Sequence, residues 1–218
     1  MSEHEGQPLL HEGPDLALAS AAMIMIHGRG ATAGDIMGLS SQFPHPNLAF
    51  LAPQAEGRSW YPYSFLVPTQ QNEPGITSGM TVINSLVMEA EFHAIPRENV
   101  FILGFSQGAC LALEFAARHP ARYGGVFGLS GGLIGPPGTA WESEESLEGT
   151  PVFIGCSDVD PHIPQSRVEE SAEALRGLGA DVELQIYPGM GHVISGAELE
   201  AVNAIISNAL RSSPDTPG

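Results

Sequence analysis

Six short apolar runs, most of them nearly continuous and separated by longer amphipathic stretches, constrain the fold of this chain more than any other feature. The runs are AMIMI (22–26), LAFLA (48–52), NVFILGF (99–105), GGVFGLS (124–130), PVFIGCS (151–157) and VELQIYP (182–188). Strands apolar at successive positions are buried on both faces, which is the pattern of a parallel sheet covered by helices. A parallel sheet needs long crossovers, and the helix-forming segments 34–42, 77–93, 107–118, 165–178 and 196–210 supply them. The expected class is therefore α/β, a mostly parallel central sheet with helices on both faces. Segments 53–76, rich in prolines and aromatics, and 131–149, with Pro136-Pro137 and an acidic cluster, read as loops. Neither is long enough for a large lid or a second domain. Residues 16–211 read as one domain, with 1–15 and 212–218 expected to be flexible ends.

Charge narrows the partners. Twenty-five acidic residues face 8 basic ones, all arginine, for a net charge of -17. Such a field repels phosphate backbones and anionic lipid, so neither nucleic acid nor a membrane surface is an expected partner. The apolar run 16–26 is too short to span a bilayer. Cys110 and Cys156 fall in a helical and a strand segment, and MSEHEGQPLLHEGPD is acidic where a secretory leader needs positive charge. The expected location is a reducing cytoplasm.

Two serines share the frame G-x-S-x-G: Ser106 in GFSQG and Ser130 in GLSGG. That frame can present a nucleophile on a tight turn, provided a strand runs in and a helix runs out. NVFILGF precedes Ser106, and QGACLALEFAARH follows it until Pro120 ends the helix. After Ser130 come GGLIGPPG, whose glycines and paired prolines start no helix. Ser106 is the expected nucleophile, and Ser130 a turn serine near it. A serine hydroxyl needs a base, and the base a carboxylate. Of the downstream histidines, His119 ends the helix that begins at Ser106, roughly 18 Å away at the helical rise, and is out of reach. His192 lies just past a strand in a glycine-rich loop, where open α/β sheets place functional groups. For the acid, Asp158 and Asp160 in FIGCSDVDPHIP compete, and position hardly separates them. A metal held by Asp158, Asp160 and His162 is the weaker reading of this run, which lacks the further ligands a hard cation takes. HGRG after the first apolar run has the form of an oxyanion loop, a second source of N–H donors beside the one at the helix start.

HGRGA, LAPQA, GFSQGA, SDVDPHIP and GMGHVIS occur in an order and spacing that resemble the phospholipase/carboxylesterase family of α/β-hydrolases, the group that includes the acyl-protein thioesterases. The resemblance runs from about residue 22 to about 209. It implies an α/β-hydrolase fold and acyl transfer through a Ser-His-Asp triad, with no metal and no organic cofactor. Laid on this chain, the family's D-x-x-V-P pattern falls on Asp160 to Pro164 and selects Asp160 as the acid. It makes His192 the base and assigns the oxyanion donors to the main-chain N–H groups of Arg29 and Gln107. A small-molecule ester substrate is implied, and a homodimer is known among relatives although no residue here compels one. The chain departs from the thioesterase branch, which reads HG-L-G-D, by having Arg29 and Ala31. The stretch APQAEGRSWYPYSFLVP is closer to the bacterial esterase branch. Its aromatics, Trp60, Tyr61, Tyr63 and Phe65, are expected either to wall the substrate or to pin their loop to the body. The expected activity is a carboxylesterase for short to medium chains. A thioesterase or lysophospholipase with the same triad is the alternative, and a non-catalytic ligand-binding protein the least favoured.

Overall fold

The computed structural model describes residues 3–212. Seven strands form one sheet: β1 (Leu9–Glu12), β2 (Ala21–Ile26), β3 (Leu48–Pro53), β4 (Val100–Phe105), β5 (Gly125–Leu129), β6 (Pro151–Ser157) and β7 (Asp181–Tyr187). Their spatial order is β1-β3-β2-β4-β5-β6-β7, and every pairing is parallel except that of β1 with β3. The helices are α1 (Ala33–Met37), α2 (Gly75–Phe92), α3 (Gln107–Arg118), α4 (Gln165–Gly177) and α5 (Gly196–Ser212).

Period-two alternation divides the apolar strands between two cores. Ala22, Ile24 and Ile26 of β2 and Ile102 of β4 pack on one face with Ile83 of α2, Leu111 of α3 and Val168 of α4. Ala21, Met23, Met25, Phe101 and Leu103 turn to the other face, against Ile36 of α1 and Val202 and Ile206 of α5. Side chains on both faces of β2 are thus fully buried, the arrangement its unbroken hydrophobicity implied.

Two expectations change at the N-terminal side. Residues 9–12 were placed in a flexible segment but form the antiparallel edge strand β1, with Leu9 opposite Pro53 and Glu12 opposite Phe50. All four of its residues are exposed, so it carries no burial pattern to read, and main-chain pairing alone defines it. Upstream, His4 is buried; its Nδ1 accepts from the Glu56 N–H and its Nε2 donates to Trp60 O. The helix expected over 34–42 is also shorter. Thr32 and Asp35 close a reciprocal capping box that starts α1, Gly38 caps it after five residues, and a separate 3-10 turn follows at Ser40–Gln42. The C-terminal tail beyond 212 lies outside the described residues.

Candidate active site

The C-terminal ends of β2, β4 and β6 and the loop after β7 meet at one rim of the sheet. At the end of β4, Ser106 adopts φ 56° and ψ -118° and α3 begins at the next residue. This positive φ is sterically costly for a non-glycine residue and directs the side chain out of the strand-to-helix turn. The turn exists only because its flanks are glycine. A Cβ on Gly104 would lie 2.2 Å from Gly108 O, and one on Gly108 would lie 2.1 Å from Ile26 O.

Ser106 Oγ donates to His192 Nε2 at 2.9 Å, and His192 Nδ1 donates to Asp160 Oδ2 at 2.7 Å. Ring orientation follows from the second bond, since an ionised carboxylate accepts only and so holds the proton on Nδ1. The ring is further bounded by Phe105 and His162, with centroids 5.0 and 4.9 Å away. The other Asp160 oxygen accepts the N–H groups of His162 at 2.8 Å and Ile163 at 3.0 Å. Burial pushes the Asp160 carboxyl upward, but its bonds from His192 and the two N–H groups outweigh burial and hold it below the ordinary value. Asp158 does a different job. Its carboxylate accepts from the Gly189 N–H at 2.8 Å, bracing the loop that carries His192. The two aspartates that sequence position left in competition are separated by these partners. Among the described residues no group of three His, Cys, Asp or Glu side chains is arranged to hold a metal ion.

The HGRG segment lies against this turn: a Cβ on Gly28 would be 3.3 Å from Ser106 Cβ. His27 anchors it. The ring donates from Nδ1 to Gly28 O and accepts at Nε2 from the Ala55 N–H and from Gln54. Burial lowers its pKa, which keeps the acceptor nitrogen unprotonated. Among the described residues, no recorded hydrogen bond uses the main-chain N–H of Arg29 or of Gln107. The Gln107 N–H belongs to the first turn of α3, where helical N–H groups lack internal partners and the helix dipole is positive.

A cavity of about 350 Å³ opens over Ser106 and His192, bounded by Arg29, Tyr61, Tyr63, Phe65, Gln107 and Ile163 among others. Three of the four aromatics expected at this wall are there. Trp60 is the exception, because it is fully buried and its Nε1–H donates to His27 O at 2.9 Å. It braces the HGRG loop and does not line the cavity. The sequence reading had not placed Ser64, Cys110, His162 and Ile163 at the cavity. Cys110 was within reach of that reading, since it lies four residues beyond Ser106 and so one helical turn along the same face. Burial pushes its thiol up to about 12, so the thiol stays protonated and does not compete as a nucleophile.

The family model described as Phospholipase/Carboxylesterase matches residues 16–210. The chain belongs to the phospholipase/carboxylesterase family. A solved phospholipase/carboxylesterase from Dyadobacter fermentans superposes with a TM-score of 0.89 and 42% identity, covering 95% of this chain and 99% of that one. Among curated relatives, Acyl-protein thioesterase 1 of Gibberella zeae is 32% identical over 142 residues, 64% of this chain and 60% of that protein. Carboxylesterase SOBER1 of Arabidopsis thaliana is 24% identical over 216 residues, 91% of this chain and 95% of its own length. The match to the Gibberella relative thus spans less than two thirds of that protein. The α/β-hydrolase architecture of the family accounts for the sheet order, and no segment among the described residues forms a large lid. No helix among the described residues is long and apolar enough to cross a membrane.

Proposed function

We propose that this chain is a serine hydrolase that cleaves carboxylic esters of short to medium chain length through an acyl-enzyme. The observation that carries this reading is the unbroken chain of hydrogen bonds from Ser106 Oγ through the His192 ring to Asp160. In the first step Ser106 Oγ attacks the ester carbonyl while His192 Nε2 takes its proton. His192 then returns that proton to the departing alcohol. Water, deprotonated by the same nitrogen, attacks the acyl-serine; the acid leaves and Ser106 recovers its proton. Asp160 holds the ring and stabilises the imidazolium, which its depressed pKa equips it to do as an anion. The main-chain N–H groups of Arg29 and Gln107 serve the developing oxyanion, where one such donor is worth on the order of a hundredfold or more in rate. A cavity of about 350 Å³ with an aromatic wall at Tyr61, Tyr63 and Phe65 favours a modest acyl or alcohol group over a long lipid chain.

The names of the curated relatives support a second reading, a thioesterase acting through the same groups. Fluorophosphonate labelling followed by peptide mapping tests the first claim, with a single adduct expected on Ser106; an intact, unlabelled Ser106 would sink it. Matched oxygen and sulfur esters from acetyl to palmitoyl test the second. The ester reading expects kcat/KM to peak at short or medium oxygen esters, and a peak at long thioesters would replace it.

A further inference from the structure

Arg29 borders the cavity, yet its guanidinium is engaged with the protein. Nη1 donates to Ser59 Oγ at 3.0 Å and to Pro62 O at 2.9 Å, and Nη2 donates to Tyr63 O at 2.7 Å. Its Cζ lies 5.8 Å from the Tyr61 ring centroid. The Gln107 side chain holds the same segment, accepting from the Trp60 N–H at 2.9 Å and donating to Tyr61 O at 2.8 Å. Ser59 Oγ ties the two together, for it accepts from Arg29 and donates to Tyr61 O at 2.8 Å. A main-chain bond from the Gly30 N–H to Arg58 O, 2.8 Å long, runs alongside. The two residues whose N–H groups face the reacting carbonyl in the proposed mechanism thus use their side chains to grip the loop that carries the aromatic wall.

We propose that Arg29 is a positioning and specificity-determining residue, a strap that locks the aromatic loop 59–65 to the HGRG loop. This inference rests on the serine-hydrolase reading. Carbonyls of residues 61, 62 and 63 lie outside any helix or strand, so each needs a donor from elsewhere or from water. A planar guanidinium supplies three directed N–H groups at once, whereas an ammonium on a flexible stem supplies a point charge without that fork. The strap makes the substrate wall and the Arg29 main-chain N–H parts of one rigid unit. Pressure on Tyr63 or Phe65 from an oversized acyl group is thereby transmitted to the oxyanion donor, and acyl length is read in kcat as well as in binding. With three of its five N–H donors committed to the loop, Arg29 selects by holding a shape and not by reading substrate charge.

The test compares the 218-residue chain with its Arg29→Met and Arg29→Lys variants. The measurements are kcat and KM on p-nitrophenyl esters from acetyl to decanoyl and on the carboxylate-bearing p-nitrophenyl monoester of glutaric acid, hydrogen exchange of amides 59–66, and fluorophosphonate labelling. Both variants are expected to lose kcat on the best ester by roughly 10- to 100-fold, the scale that a small misplacement costs. They should also flatten the chain-length profile and speed exchange at Trp60 and Tyr63 while amides of α3 keep their protection. A third variant, Arg29→Ala, leaves room for a free guanidinium, and added guanidinium chloride, but not sodium chloride, should restore part of its rate. Unchanged kcat and exchange, or a KM rise confined to esters bearing a carboxylate, would overturn the strap, the latter by showing that Arg29 reads the substrate. A wild-type chain unlabelled at Ser106 would remove the serine-hydrolase reading and the strap together. A labelled wild type with indifferent variants removes the strap alone.

Discussion

Ser106 and Ser130 occupy the same five-residue frame at the C-terminal ends of adjacent strands, with φ of 56° and 53°. Each donates its N–H to a carbonyl of the next strand over, Ser106 to Leu129 O and Ser130 to Gly155 O. Their surroundings then diverge. A helix starts directly after Ser106, and a histidine ring stands 2.9 Å from its hydroxyl. Ser130 is followed by no helix, and its Oγ is buried without a hydrogen-bond partner. The glycines differ as well. A Cβ on either glycine at the ends of the Ser106 frame would meet backbone atoms, of Gly108 or of Ile26, whereas one on Gly128 would meet the Leu113 side chain and one on Gly132 the side chains of Arg167 and Ser171, although one on Gly131 would also meet the main chain of Ala109 and Cys110. A strained serine is therefore no signal of chemistry by itself. What separates the two turns is a base in front, a helix behind, and main-chain packing that leaves the turn no freedom.

Activity gives the sharpest way to break this contrast. Ser106→Ala should lower kcat/KM by on the order of 10⁴-fold or more, and Ser130→Ala should stay within about twofold of wild type, measured on the best ester. A comparable loss from both would dissolve the distinction. Stability offers the next test, by urea unfolding of two glycine variants. Gly108→Ala places its methyl against main-chain oxygens that cannot yield, so a loss above about 3 kcal/mol or a failure to fold is expected. Gly128→Ala meets a leucine able to rotate away and should cost about 1–3 kcal/mol. Equal costs would show that backbone contact is not what makes the first turn rigid.

The smallest effect concerns the carboxylates associated with each turn. Asp160 serves Ser106 through His192, and its pKa is lowered. Glu198, fully buried, sits where a Cβ on Gly155, whose carbonyl accepts the Ser130 N–H, would meet its Oε1 at 2.4 Å. Burial raises its pKa despite the bonds that Oε2 accepts from Ser195, and Oε1 has no partner. The linkage signs are opposite. A lowered carboxyl stabilises above its unfolded pKa and loses that contribution as pH falls through the folded value. A raised one stabilises below its unfolded pKa and loses it as pH rises through the folded value. Melting temperatures between about pH 4 and pH 8 should therefore move in Glu198→Gln's favour, relative to wild type, as pH rises. Asp160→Asn should trail wild type by a nearly constant margin over the same range, and the gap should close only as pH falls below about 4. Parallel trends would mean that burial, not hydrogen bonding, governs both carboxyls.

How much of this was legible in the sequence depends on which force places each residue. β2 to β6 were readable because burial on both faces leaves an unbroken apolar run, β7, a partly exposed edge strand, from its alternating pattern, and α3 because its helix formers end at a proline. β1 was not, since an exposed edge strand is held by main-chain bonds that any four residues can make. α1 was overdrawn because Gly38, inside an otherwise helical stretch, ends it early. Composition left Trp60, like its neighbours, open between walling the substrate and pinning the loop, and its indole N–H, with a buried carbonyl to satisfy, drew the ring into the core.

The primary structure by itself determined the sheet class, the strand-to-helix turn at Ser106 and the glycines without which that turn cannot close, because these depend on local sterics and hydrophobic period. Only the tertiary structure decided what Arg29 holds and why Ser130 has nothing to act on, and it put contacts behind the choice of Asp160 that residue position alone had left open and only the family pattern had made. Those are contacts between residues tens of positions apart, and no local preference encodes which donor finds which acceptor once the strands are laid side by side.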